Sequence, residues 1–398
     1  MPPLSTDPAV EPSIAATRER LRAQMPVVEK WAYFDHAAVA PLSGPARDAL
    51  AAWASQAAAD GDTPWLTWDA QVEKTRKRAA GLINASPDEI ALVPSTTAGI
   101  NLVAEGLDWR EGDNVVVLAD EFPSNLYPWM QQASRGVETR TVNTDLGRID
   151  LDELRNACDD RTRIVSVSWV GYASGYRQPL ETIAEIAHNA GALFFLDAIQ
   201  GLGIHSLDVA DTPIDFLAAD GHKWMLGPEG AGIAYIRQEH LERLRPLGVG
   251  WNSVANSANF GHVELDLKQS AARYEGGSAN MPGMHALGAS LELLSAQPTA
   301  DIAAAILDIT DYLCERLASA GAMVASHREA EPSGHDPRSG IVSAELPGQD
   351  PIAVRKRLLE AGVVTSVRGG RLRMAPHAYT SYEEVDRLID SLGTASPD

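Results

Sequence analysis

The sequence predicts an α/β protein: a large domain on a mostly parallel seven-stranded sheet, joined to a smaller α+β domain. Three observations point there. Seven short segments are rich in apolar and β-branched residues, and several run without polar alternation, as strands covered on both faces do. Helix-like stretches fall between most of them. After about residue 262 the alternation stops, and two helical stretches in succession lead into a segment rich in Pro, Gly and His. At 398 residues, 45% of them hydrophobic, the chain is long enough for a large core.

The elements follow in order. Residues 1–30 read as a polar arm with one helix at about 13–24, too short to fold alone and expected to pack with the small domain. The large domain is assigned to 31–262. Its strands are expected at 90–94 (IALVP), 114–120 (NVVVLAD), 138–143 (ETRTVN), 163–170 (RIVSVSWV), 192–198 (ALFFLDA), 215–220 (DFLAAD) and 231–236 (AGIAYI), with helices at 97–107, 124–135, 150–158 and 179–190. The small domain takes 263–398 together with the arm. It is expected to hold helices at 281–295 and 299–320, a strand in GIVSAELP, a helix at 350–361, the segment GVVTSVRGGRLRMAP and a last helix at 381–392. No internal repeat is visible.

Composition narrows the function classes. The net charge of −21, with no basic run, argues against a nucleic-acid partner. Two cysteines, Cys158 and Cys314, exclude a disulfide framework and a cysteine-rich metal site. No run of 18 apolar residues and no signal-peptide pattern is present, so the expectation is a cytoplasmic protein with no membrane partner and no metal.

In open α/β sheets, ligands bind beyond the carboxyl ends of the strands. The residues just after each predicted strand are therefore the candidates. PSTTAGIN (94–101) starts a helix with two threonines, Thr96 and Thr97. It is either an anion cradle or an ordinary helix cap. Asp197 ends an apolar strand, where a carboxylate is costly unless it pairs with a cation or caps a turn. Lys223 in DGHKW is one of only six lysines. In apolar surroundings its amine would be nucleophilic and form a Schiff base with an aldehyde. Otherwise it reaches solvent or pairs with Asp220 or Glu229. His222 is either a phosphate contact or a satisfied histidine. Together an anion cradle, a buried aspartate and a buried lysine suit pyridoxal 5'-phosphate, whose phosphate, ring nitrogen and aldehyde each need one of them. A dinucleotide reading of GLGIHS (201–206) lacks the third glycine.

With these residues in place the chain resembles the class V aminotransferase family of fold-type I pyridoxal-phosphate enzymes, which includes cysteine desulfurases, selenocysteine lyases and isopenicillin N epimerase. The resemblance runs from YFDHAAVAPLS (33–43) to RLRMAPHAYTSYEEVDRLIDSL (371–392), with LDAIQ and DGHKW at its centre. It implies that Lys223 binds the cofactor aldehyde, Asp197 partners the ring nitrogen and Gln200 donates to the ring oxygen. Thr96, Thr97 and His222 would hold the phosphate, and Phe122 would stack on the ring. Ser278 in EGGSAN would reach the phosphate of a neighbouring subunit, which implies a homodimer with shared active sites. Arg373 would hold the substrate carboxylate, and His36 joins it as a substrate-side candidate. Tyr33, Trp169, Tyr172 and the loop 248–262 are left without a place.

Two departures bear on function. Desulfurases of the family stack a histidine where this chain has Phe122, and they carry a nucleophilic cysteine on a loop that would fall between about 335 and 372, where this chain has none. Asp220 stands where a phosphate-binding serine is common, so its carboxylate is expected to turn elsewhere. The expectation is an enzyme acting at Cα of an amino acid or related amine, leaning to transamination. The alternatives are a cysteine-independent C–S or C–Se β-lyase, an epimerase, and a cofactor-binding pseudoenzyme.

Overall fold

The computed structural model describes residues 14–393, so residues 1–13 of the predicted arm lie outside the described residues. All seven predicted strands form, each within two residues of its expected ends, and they make one sheet. From edge to edge the order is Ile90–Val93, Gly232–Ile236, Phe216–Asp220, Leu193–Asp197, Thr162–Ser168, Asn114–Leu118 and Glu138–Val142. Neighbours pair in parallel except around Gly232–Ile236, which is antiparallel to both of its neighbours. The other six therefore run the same way, and their carboxyl ends share one edge of the sheet.

Both faces of this sheet are covered, which is why its strands read as unbroken apolar runs. Along Phe216–Asp220 the side chains alternate between two cores. Leu217 and Ala219 pack with Phe194, Ile183 and Ala187 on the face covered by the Leu180–Asn189 helix. Phe216 and Ala218 pack with Ile100, Val103 and Ala104 of the Thr96–Gly106 helix on the other. That second helix lies very close: a Cβ at Gly99 would sit 2.6 Å from the Cβ of Ala218. Only the edge strand Glu138–Val142 has mostly uncovered positions, consistent with its charged and threonine-rich sequence.

Two helices that the sequence reading left unassigned, Gly44–Asp60 and Trp65–Leu82, pack on the Met281–Ser295 helix. The single helix expected at 124–135 is instead three short pieces, Pro123–Asn125, Tyr127–Met130 and Gln131–Arg135. Pro128 has no N–H to return to Ser124, so one helix cannot run through it.

A separate cluster of apolar side chains organises the α+β part. It gathers a sheet ordered Met323–Val324, Val342–Glu345, Arg371–Met374, Ser366–Arg368 and the helices Thr299–Ser319, Pro351–Glu360 and Tyr382–Ser391. Ala32 and Phe34, near the start of the chain, belong to the same cluster. Ala32–Tyr33 pairs in parallel with Val363–Val364, and Asp35 bridges to Ala375. The Ile14–Arg22 helix packs on Thr299–Ser319, with Arg18 2.7 Å from Asp308. Strands Ser366–Arg368 and Arg371–Met374 form a hairpin whose tip is only Gly369 and Gly370, both at positive φ (54° and 74°), where glycine carries no penalty. Among the described residues no helix is long and apolar enough to cross a membrane.

Candidate active site

The strand ends converge on a cleft of about 320 Å³. That volume lies in the range of small-molecule and cofactor sites. Its walls include Ser95, Thr96, Thr97, Phe122, Asp197, Gln200, Asp220, His222, Lys223, Arg368 and Arg373. Eight of the ten residues singled out from sequence therefore meet in one place; Ser278 and His36 do not.

The floor is set by two adjacent strand ends. Asp197 is buried at the end of Leu193–Asp197, and Ile199 N–H donates to its Oδ1 at 3.1 Å. Burial raises its pKa to about 6, against the opposing pull of that N–H and of Lys223. A buried carboxylate in this state is stabilised by a cation placed against it. One strand over, Phe216–Asp220 ends in a tight loop. Leu226 N–H bonds Lys223 O, Gly227 N–H bonds Gly221 O, and Ser290 Oγ–H bonds Leu226 O at 2.7 Å. Leu226 adopts a φ of 56°, unusual for a residue with a side chain, so the loop is held by its surroundings. It presents Lys223, half-buried in the cleft. Desolvation lowers the lysine pKa to about 8, reinforced by Arg373 and Arg368 and opposed by Asp197 and Asp220. A substantial fraction of this amine is neutral near pH 8, where an ordinary lysine is almost wholly charged.

The anion cradle expected from the sequence falls at the start of the Thr96–Gly106 helix. Ser95 caps it by accepting Ala98 N–H at 3.1 Å. The first amides of a helix have no carbonyl partner within it, so those of Thr96 and Thr97 remain for a ligand. Thr96 Oγ1 accepts from Asp220 N–H at 2.9 Å and locks the helix start to the strand end. Thr97 Oγ1 donates to Ser124 Oγ at 2.8 Å. Asp220 lines the cleft, but its carboxylate is turned onto its own loop. One oxygen accepts Gly221 N–H at 2.7 Å and the other lies 3.0 Å from His222 Nδ1.

Phe122 is 44% exposed at the cleft wall, with Lys223 Nζ 5.8 Å from its ring centre and Tyr172 against its edge at 5.3 Å. The cleft therefore offers an aromatic face, a buried carboxylate, a nucleophilic amine and a helix-start anion cradle. That donor set fits pyridoxal phosphate.

The cleft also holds two guanidinium groups. Arg373 is 1% exposed and already bonded within the protein. Its Nε donates to Ser366 Oγ at 3.0 Å, Nη1 to Tyr172 O at 2.8 Å and Nη2 to Asp35 at 3.0 Å. Among the described residues Arg368, from the facing hairpin strand, donates its side chain to Val367 O within its own hairpin. Sequence reasoning missed both Arg368 and Asp35. VRGGR gave no sign that its first arginine enters the cleft, and Asp35 lies 338 residues from the arginine it pairs with.

His36 is corrected. It is fully buried outside the cleft, with one ring nitrogen 2.8 Å from Ala375 O and the other 2.7 Å from Tyr379 Oη, so both are occupied and neither is left for a substrate. Ser278 lines a second recess of about 520 Å³ with Gly276, Gly277 and Asn280, away from the cleft. The loop 248–262 carries a short turn, Trp251–Ser253, and exposes Trp251 and Phe260, which contact each other edge-on at 6.0 Å. Neither cysteine lines the cleft. Burial raises both thiols, Cys158 to about 11.

Residues 32–388 match the class V aminotransferase family. A protein of Methanothermobacter thermautotrophicus named probable cysteine desulfurase is 32% identical over 398 residues, covering 94% of this chain and 97% of the relative. Among solved structures, an apo cysteine desulfurase from Thermococcus onnurineus NA1 superposes with a TM-score of 0.83 at 25% identity, covering 94% of this chain and 96% of that one. The cystine C–S lyase C-DES, in complex with its reaction product cysteine persulfide, gives a TM-score of 0.86 at 24% identity over 93% and 99% of the two chains, a likeness of fold.

Proposed function

The chain belongs to the class V aminotransferase family of fold-type I, pyridoxal-phosphate-dependent enzymes, and from that premise we propose that it is a C–S β-lyase acting on a cysteine-derived amino acid. The sequence alone leaned to transamination. The relatives named cysteine desulfurase favour carbon–sulfur cleavage instead, the reading first held as the alternative.

The carrying observation is that no thiol stands at the cleft: the hairpin closes through Gly369 and Gly370, and Cys158 and Cys314 lie elsewhere. Without an enzyme thiolate to take sulfur, the sulfur leaves on the substrate's own leaving group. The balanced reaction takes R–S–CH₂–CH(NH₃⁺)–COO⁻ and water to R–SH, pyruvate and ammonium.

Bound in the cleft, the cofactor supplies an electron sink for the charge left at Cα. Lys223 is the covalent anchor. Once the substrate amine has displaced it, its freed amine would take the Cα proton, a role its lowered pKa favours. Breaking the Cβ–S bond leaves the electron pair on sulfur. Asp197 receives the charged ring nitrogen and Gln200 donates to the ring oxygen. Phe122 covers a ring face, and Thr96, Thr97 and His222 hold the phosphate. Arg373, with Arg368 beside it, takes the substrate carboxylate as a planar two-pronged donor. Ser278, turned away from its own cleft, serves the phosphate of a second copy, which makes the working enzyme a homodimer.

The test is product analysis with L-cystine, L-cysteine and S-alkyl-cysteines on the enzyme and on the Cys158→Ser/Cys314→Ser double variant. The expected result is pyruvate equimolar with released thiol or persulfide, equal in both proteins. Alanine as the carbon product, loss of activity in the double variant, or a keto acid formed with the cofactor left in its amine form would each reject the lyase.

A further inference from the structure

Lys223 is followed by Trp224, a fully buried indole outside the cleft. Its Nε1–H donates to Gln200 Oε1 at 2.9 Å, and Gln200 Nε2 donates to Ala37 O at 2.9 Å. Amide orientation is often ambiguous because the two ends of the group look alike. Here both partners have fixed polarity: an indole N–H only donates, and a peptide carbonyl only accepts. Inverting the amide would set N–H against N–H and C=O against C=O, inside a site where Gln200 is 2% exposed.

The indole cannot swing away. His36 and His377 stack near it, each with ring centres 6.0 Å from it and planes within 27°. Gly340 lies so close that a Cβ there would fall 2.4 Å from the ring. His36, with no role in the cleft, is part of this clamp.

We propose that Trp224 is a positioning residue that fixes the amide polarity of Gln200, so that position 200 presents an N–H and never a carbonyl to the cofactor ring oxygen. Gln200 Nε2 carries two hydrogens; Ala37 takes one, and the other is the donor. The same short loop thus delivers the amine through Lys223 and sets the ring-oxygen contact through the next residue. The proposal rests on the assignment of Gln200 to the ring oxygen.

A donor at the ring oxygen stabilises the more negative, deprotonated state of the lysine-bound cofactor, so removing it raises the pH midpoint of the visible absorption band. The experiment titrates that band in the holoenzyme without substrate, so it is read independently of any lyase activity. Gln200→Leu is expected to raise the midpoint by about one pH unit. Trp224→Phe is expected to raise it by about half a unit or more, with weaker cofactor retention, and to add nothing in the Gln200→Leu background. Trp224→3-benzothienylalanine, which keeps the ring shape and loses only the N–H, covers the case in which phenylalanine fails to fold. An unchanged midpoint with the benzothienyl side chain, or a shift that persists in the Gln200→Leu background, overturns the role of Trp224. An unchanged midpoint in Gln200→Leu alone removes the Gln200 assignment and the proposal with it.

Discussion

Arg373→Lys keeps the positive charge and removes the fork. A guanidinium has five N–H groups, and the structure commits three of them, to Ser366, Tyr172 and Asp35. Two remain, one on each terminal nitrogen, which is the number a carboxylate accepts in a two-pronged pair. A lysine ammonium reaches the carboxylate as a point charge with at most one good bond. Losing one charge-assisted hydrogen bond costs about 1.5–3 kcal/mol, or about a 10- to 150-fold fall in kcat/KM. The carboxylate is bound alike before and during reaction, so the loss falls on KM, with kcat within about threefold. The assay is steady-state pyruvate formation over a wide substrate range, with a thermal melt to confirm folding. A decarboxylated amine substrate serves as control, because it has nothing for Arg373 to hold. An unchanged KM for the amino acid, or an equal loss on the decarboxylated amine, refutes the assignment.

Other outcomes follow from the same geometry. Lys223→Ala is expected to abolish the visible band of the holoenzyme, and a coloured, active variant would remove the covalent role. In the cofactor-free protein the rate of cofactor uptake should rise with pH and level off above about 8, where the amine loses its proton; a rate still climbing at pH 10 would contradict the lowered pKa. Glu121 is buried, accepts from Ser168 N–H at 2.6 Å and from Ser168 Oγ–H, and burial raises its pKa from 4.5 to about 8. The folded state holds this proton more tightly than the unfolded one, so the group's contribution to stability is full below pH 4.5 and is lost as pH rises through 8. Glu121→Gln should flatten the fall in Tm across that window, and a Tm profile parallel to the wild type would show otherwise. Gly99→Val should drive the cradle helix off Ala218, costing about 1–3 kcal/mol of stability and weakening cofactor retention; unchanged retention would separate the helix start from phosphate binding.

The sheet was legible because burial on both faces leaves a signal that needs no partner information: VVVL, LFFL and FLAA are apolar whichever face they serve. The Gly44–Asp60 helix carries no such signal, since only Ala46 along it is buried and its alanines suit many contexts. The helix expected at 124–135 breaks into short pieces because Pro128 forbids its middle. In the site, Lys223, Asp197 and Thr96 were legible because a charge or hydroxyl at the end of an apolar strand is anomalous in sequence. Asp35 was not, for it gains its meaning only when the first and last parts of the chain pair and its carboxylate meets Arg373. His36 misled for the opposite reason: a histidine in a motif reads as chemistry, whereas here it stacks against the indole of Trp224 and bonds Tyr379.

The two-glycine hairpin tip has a consequence for how such enzymes diversify. A turn beside Arg368, which lines the cleft, with two paired strands behind it, is a place where extra residues can be added at small thermodynamic cost, since doubling a loop adds only about 0.6 kcal/mol of closure entropy. The strands that carry Arg368 and Arg373 would keep their register. On the proposed lyase reading, a thiol added at the tip would retain sulfur that the present tip lets go. The cleft can stay fixed while the fate of its product changes.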